Sequence, residues 1–460
     1  MNIQKNIPSC RIKKVEITNE KITGRGGLPI FLRYVDSIGI LPLFKNELID
    51  IRKSKKGQPV ESIIRQVVAF MADGSSSSII SFDEIKKDEG YAAALECSRS
   101  ELISSHTVRR FFQNFTSSLK SNRLRKILKA EFIRQVRATT PEQITLDIDT
   151  MVLDNSESDR RHGVKPTYKK GVKGFQNLQV TWNGILVDAL FRNGSAHSNH
   201  GDDVLHILRN VINTIRKGYR QDVPITITMD SGFFSEENLV FLSEEMNVTF
   251  IAMGKMYDDL REKVKLIPTN EYSLFEGKRK IWTYTEFNDK RESWKRTTGF
   301  RVVHTCLLTD DNGQAELDFI REDSLIYTNS KTLSCKDIIT LAHNRGRSEL
   351  TNRSFKEFMT TETLPFKNFG MNTAWYFIMA ISHSLFVGFR NEILAVVKCV
   401  SDTANPTTIR RQVFDIAAKV IRKGTGFILK FPSGVYNRLN IEKLWEQVNI
   451  KLPSPTIIIQ

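Results

Sequence analysis

From Gln143 onward the chain switches repeatedly between two-residue and helical periodicity, and that rhythm limits its folds more than any other feature. In "QITLDID", Ile144, Leu146 and Ile148 fall on one side, and Thr145, Asp147 and Asp149 on the other. This is the pattern of a strand with one buried apolar face. "FQNLQVTWN" and "ILVDALFRNG" follow as strands joined by Asn183-Gly184, a pair that accepts the positive φ of a tight hairpin. "DDVLHILRNVINTIRKG" then has helical spacing, and "VPITITMD" is a strand ending at Asp230. Ser235 caps a helix over "EENLVFLSEEM", and "VTFIAMG" closes the run as a strand. Strands, helix, strand, helix, strand predict an α/β unit with a mixed sheet over 141–265.

The flanks differ in texture. Residues 1–140 are mainly helical: "SIIRQVVAFMADG" stops at Gly74, and Ser104 or Ser105 caps a helix bearing Arg109 and Arg110. "SNRLRKILKAEFIRQVR" sets Leu124, Ile127, Leu128 and Val136 against Arg123, Arg125, Lys126, Lys129 and Arg137. One face packs, while the other is either a solvated surface or a contact for a nucleic-acid backbone. Residues 266–328 form a β-rich insertion with a turn near Asp311-Asn312-Gly313, followed by a further part of the α/β unit at 329–400. The tail, 401–460, is a hairpin and a short helix. "AWYFIMAISHSLFVGF" at 374–389 is shorter than the ~20 residues of a membrane span and contains Ser382, His383 and Ser384. It predicts a buried helix with a core histidine.

Charge narrows the partners. Lys and Arg total 67 against 52 Asp and Glu, a formal charge of +15, which favours a polyanion such as nucleic acid. Five scattered cysteines without a Cys-x-x-Cys give neither a disulfide framework nor a zinc site, and suit a reducing cytoplasm. His197 and His200 lie in a Gly/Ser/Asn-rich loop without a third ligand pattern, and "GRGG" at 24–27 lacks the Lys-Ser/Thr of a phosphate loop. "HGVKPTYKKGVKG" at 162–174 is either a phosphate-tracking element or a solvated hairpin tip.

Three carboxylates have distinctive positions. Asp149 and Asp230 end strands, and Glu349 lies on a helix after the insertion. Ligand groups gather beyond the strand ends of open α/β sheets, and an oxygen-only set there suits Mg²⁺ or Mn²⁺. Two such ions activate a water or 3′-hydroxyl and steady the leaving oxygen in phosphodiester transfer. Asp147 faces the same way as Asp149; Asp149 is preferred as the nearer to the strand end. Around Glu349, Arg345, Asn352 and Lys356 share one helical stripe, either a solvated surface or a catalytic face.

"LDIDTM", "TMDSGFFSEENL" and "RGRSELTNRSFK", in that order, resemble the DDE transposases of bacterial insertion sequences, whose catalytic fold is RNase H-like. More narrowly, the chain is similar to the group with a Tyr-x2-Arg-x3-Glu-x6-Lys signature and a β-strand insertion before the glutamate. Arg345, Glu349 and Lys356 match that spacing, whereas Ala342 stands at the tyrosine position. "GRGGLPIFLRYVDSIGI" and "WYFIMAISHSLFVGFRNEI" extend the resemblance over most of the chain.

The resemblance implies an RNase H-like mixed-sheet core and catalysis by Asp149, Asp230 and Glu349 with two Mg²⁺ or Mn²⁺ ions. It also implies double-stranded DNA as partner, at element ends and target, and a homodimer or larger assembly. Arg345 would orient Glu349 or hold phosphate, with Asn352 on the same face, and Lys356 would reach the DNA backbone. The helical region, through Arg109, Arg110, Arg123 and Lys126, would bind element ends. Trp282, in an alternating "IWTY", is expected in the core of a small sheet. Trp294, in the polar run "NDKRESWKRTT", is expected to be exposed and to stack on a flipped base. Two other functions fit the same residues: a metal-dependent nuclease without strand transfer, and a catalytically silent DNA-binding descendant.

Overall fold

The computed structural model describes residues 12–54, 56–277, 280–309 and 323–458. Residues 278–279, the expected Asp311-Asn312-Gly313 turn and Cys10 lie outside these ranges. A long helix, α1 (Ser118–Thr139), leads into a mixed sheet that organises the rest. Its first five strands are β1 (Ile144–Asp154), β2 (Lys173–Trp182), β3 (Ile185–Leu190), β4 (Ile225–Met229) and β5 (Thr249–Met253). They lie in the order β3-β2-β1-β4-β5, with β2 antiparallel to both β3 and β1, and β4 and β5 parallel to β1. That is the strand order of an RNase H-like sheet, as expected.

Local sequence explains most of it. The β2–β3 hairpin closes through Asn183 and Gly184 at φ 45° and 86°, both left-handed, as a two-residue turn of matching twist requires. Helix α2 (Asp203–Gly218) crosses from β3 to β4 and buries Val204, Ile207, Leu208, Val211, Ile212 and Ile215, one helical stripe. This stripe packs on Ile144, Leu146 and Ile148 of β1. Each such side chain contributes roughly 1.5–3 kcal/mol on burial.

The β-rich insertion does not stand apart from this sheet; it continues it. Strands β6 (Ser273–Glu276), β7 (Ile281–Asp289), β8 (Phe300–Thr309) and β9 (Asp323–Thr328) add antiparallel in the order β5-β9-β8-β7-β6. Ile326 to Thr328 pair with Met253 to Ile251, so the chain returns to the edge of β5 rather than forming a separate sheet. Helices α3 (Cys335–Asn344) and α4 (Gly346–Met359) follow, with Arg345 between them in helical geometry.

Helix α5 (Phe369–Glu392) is the membrane-like run, and it is buried along most of its length. Among the described residues no helix is long and apolar enough to cross a membrane. One face meets the helical N-terminal residues, including Phe31, Val67 and Phe112, in a core that also takes in Phe414 and Leu444 from the tail. The N-terminal helices therefore share a core with residues far downstream. The tail hairpin pairs Ala418–Lys423 with Gly426–Lys430, and Ile22–Thr23 adds a third strand. "GRGG" is a turn with a packing role: a Cβ on Gly27 would lie 1.8 Å from the Val413 carbonyl oxygen.

Candidate active site

Parallel pairing of β1 with β4 matches Ile148 with Met229, so Asp149 and Asp230 are the next residues on neighbouring strands. Asp230 caps the turn that follows, accepting the Gly232 N–H at 2.8 Å. Gly232 is also pressed close: a Cβ there would lie 3.0 Å from Asp230 Oδ1 and 3.2 Å from Ser198 Oγ. Asp149 Oδ1 accepts the Thr150 N–H, and its Oδ2 accepts Nδ2 of Asn352, each at 2.8 Å. Helix α4 is thus held against the middle of β1 by the stripe singled out in the sequence: Asp149 does not end its strand as expected, because β1 runs on beside β2 to Asp154, and only the pairing with β4 stops before it.

Electrostatics tie the group together. Burial pushes the Asp149 carboxyl above the usual range, and the Thr150 N–H offsets part of that. The charge of Asp230 adds to the rise, while Arg345 and the Asn352 bond oppose it. Asp147, one residue pair down the strand, accepts a short hydrogen bond from Thr228 Oγ1. Burial raises its pKa to about 7, against the charge of Arg345 and with that of Asp149. Asp230 therefore bears on Asp149, while Asp147 faces a cleft shared with Thr228, Arg345 and Arg353.

Glu349 is exposed on α4, one turn before Asn352. Among the described residues no three His, Cys, Asp or Glu side chains come close enough to hold a metal ion together. The two aspartates converge; the glutamate stands on the same helix without joining them. Arg345, half-buried at the α3–α4 junction, acts on both Asp147 and Asp149. Lys356 Nζ is turned to Glu362 Oε2 at 2.7 Å, and the same carboxylate oxygen accepts the Asp154 N–H at 3.0 Å. Ala342 is buried with Ile338 and Ile339 against Ile251, Val303 and Ile326, so the signature-tyrosine position packs on the sheet.

Other expected contacts are redistributed. Arg109 and Arg110 are exposed on the helix Ser105–Phe112, capped by Ser104, and Lys126 is exposed on α1. Arg123 is bound to Asp50 and to the Glu47 carbonyl, and Arg125 is buried. Trp294 corrects the sequence reading: it is 7 % exposed, with Phe234, Phe300 and Tyr327 around its ring. Its apolar partners come from distant segments, which the polar run around it conceals. Trp282 is half-buried against Phe275 and His343.

Three neighbours of the aspartates went unremarked in the sequence. Thr150 Oγ1 lies 3.3 Å from Ser198 Oγ, which brings the His197–His200 loop beside Asp149. Gly232 carries a weak sequence signal, a glycine two residues after a strand-end aspartate. Tyr168 is exposed on the Lys-rich hairpin, and Asp149 and Asp230 are near enough for their charges to raise its phenol pKa, after burial as the main cause.

Comparison with curated proteins finds no match. A family model described as "Transposase DDE domain group 1" matches residues 7–450, nearly the whole chain. The strand order, the paired aspartates on neighbouring strands and that match agree: the chain belongs to the DDE-domain transposases.

Proposed function

We propose that this transposase cuts DNA at the ends of an insertion sequence and joins the freed 3′-hydroxyls to target DNA, using Asp149 and Asp230 as its central carboxylates. The observation that carries the reading is the register of β1 and β4, which sets these two acids side by side with Asn352 bonded to one. Two like charges side by side on neighbouring strands call for a cation. The donors suit a hard divalent ion, because Asn352 Oδ1 is buried beside Asp149 without a hydrogen-bond partner among the described residues. In this reading Asp149 and Asp230 hold Mg²⁺ or Mn²⁺, as two ions, and Glu349 must move in from its exposed position on α4 to complete the set. When bound, the ions supply charge neutralisation at the phosphodiester and a more acidic attacking water or hydroxyl.

The chain's own residues do the positioning. Asn352 fixes the orientation of Asp149, and the Gly232 N–H fixes that of Asp230. Arg345 lowers the proton affinity of Asp149, which favours the ionised form. Arg109, Arg110 and Lys126 are exposed cations available to DNA phosphates. Arg123 and Lys356 must exchange Asp50 and Glu362 for phosphate before contributing. Trp294, enclosed by its aromatic neighbours, has no part in holding a flipped base. A homodimer or larger assembly on double-stranded DNA brings two ends together.

A plasmid carrying the element's ends tests the reading. Joined products support transposition, cut products alone support a nuclease, and binding without cleavage supports a silent DNA-binding protein.

A further inference from the structure

Cross-strand neighbours share a sheet face, so Ile148, Val180 and Asp188 lie together, opposite to Asp149. On that opposite face α1 and α2 border a cavity of about 390 Å³. Arg125, Lys126 and Lys129 line it from α1, and His206, Asn210 and Thr214 from α2, with no Asp or Glu among the described lining residues. Asp188 is fully buried and takes Arg125 in two parallel bonds, Nε to Oδ1 at 2.8 Å and Nη2 to Oδ2 at 2.7 Å. That pair is neutral overall.

Among the described residues neither Lys126 nor Lys129 makes a hydrogen bond or an ion pair, although Lys129 is half-buried. Burial lowers the Lys129 pKa; Asp188 opposes this, and the charges of Arg125 and Lys126 add to it. A half-buried ammonium group beside two other cations and without a hydrogen-bonded acceptor is costly unless an anion meets it.

We infer that this cavity is a phosphate site on the sheet face away from the carboxylates, with Lys126 and Lys129 as its charged donors and Asn210 and His206 at its polar wall. The phosphate comes either from a DNA backbone, in which case the site rests on the DNA reading proposed above, or from free phosphate. A backbone phosphate here would draw DNA around the sheet edge at β3, beyond the cutting site.

The test uses the full chain and the double variant Lys126→Gln/Lys129→Met, which leaves Arg125, Asp188 and the carboxylate pair intact. Lys126→Gln alone, at an exposed position, serves if the double variant folds poorly. Two quantities are read: the rise in Tm with inorganic phosphate over chloride at equal ionic strength, and the salt dependence of binding to a random duplex. The site predicts a phosphate-specific rise in wild type that the variant loses. A DNA source also predicts a shallower salt slope in the variant, by roughly 0.9 for each phosphate no longer neutralised. A lost Tm rise with unchanged slopes assigns the site to free phosphate. If wild type shows the Tm rise but binds no duplex, the site stands and the DNA reading falls. Equal Tm responses together with equal slopes overturn the inference.

Discussion

Acidification is expected to destabilise the fold through His383, and the size of the effect follows from its surroundings. The ring is fully buried on α5, with Phe355 and Phe358 edge-on at centroid distances of 5.3 and 5.4 Å. Its Nε2 meets Ser354 Oγ at 3.1 Å, and Nδ1 has no hydrogen-bond partner among the described residues. Burial, with the charges of Arg390 and Arg410, holds its pKa down at about 3. In the unfolded chain the ring titrates near ~6.5, so below that pH the unfolded state binds a proton that the native state refuses. Stability is therefore complete above the unfolded pKa and falls as pH drops toward 3. The slope is about 1.4 kcal/mol per unit, or about 2 kcal/mol between pH ~6.5 and ~5. Because Ser354 lies on α4 two residues beyond Asn352, loosening this contact also loosens the helix that orients Asp149. Urea unfolding of wild type and His383→Met over that range isolates the term, since other acids titrate in both proteins. The variant should lose about 2 kcal/mol less than wild type. Parallel pH profiles would refute the reasoning.

Trp294→Ala should cost about 3–5 kcal/mol in chemical denaturation, because the ring fills a buried aromatic cluster rather than facing DNA. A loss under about 1 kcal/mol would restore an exposed role. Asp188→Asn leaves Arg125 buried without its counter-charge and should cost about 3–5 kcal/mol, read in the same unfolding assay. Gly27→Ala should lower Tm clearly, as a Cβ cannot lie 1.8 Å from the Val413 oxygen without backbone movement.

The parts of the fold legible in the sequence are those dictated by local periodicity. Alternation over Ile144–Ile148, the Asn183-Gly184 turn and the amphipathic spacing of α2 specify the sheet's first five strands and their hairpin. The strand end at Asp230 was legible because β4 stops at Met229, whereas alternation alone missed that β1 runs on past Asp149 beside β2 to Asp154. What escaped depends on partners remote in the chain. Trp294 gains Phe234 and Tyr327 only after β9 has docked on β5. Arg125 looked like one more cation on a basic helix until β3 brought Asp188 beneath it. Helical spacing alone put Glu349 and Asn352 on one stripe, but it could not say that Asn352 would be the residue touching Asp149.

The central claim is that Asp149 and Asp230 form the cutting site, and cleavage of a plasmid carrying the element's ends tests it most directly. Wild type, Asp149→Asn, Asp230→Asn and Asp147→Asn are compared in Mg²⁺ and in excess chelator. The account predicts chelator-sensitive cleavage by wild type. It also predicts a loss of at least ~100-fold in the Asp149 and Asp230 variants, because several kcal/mol of transition-state stabilisation disappear. Asp147→Asn should keep most of the rate. Full activity in Asp149→Asn with loss in Asp147→Asn, or cleavage indifferent to chelator, would contradict it.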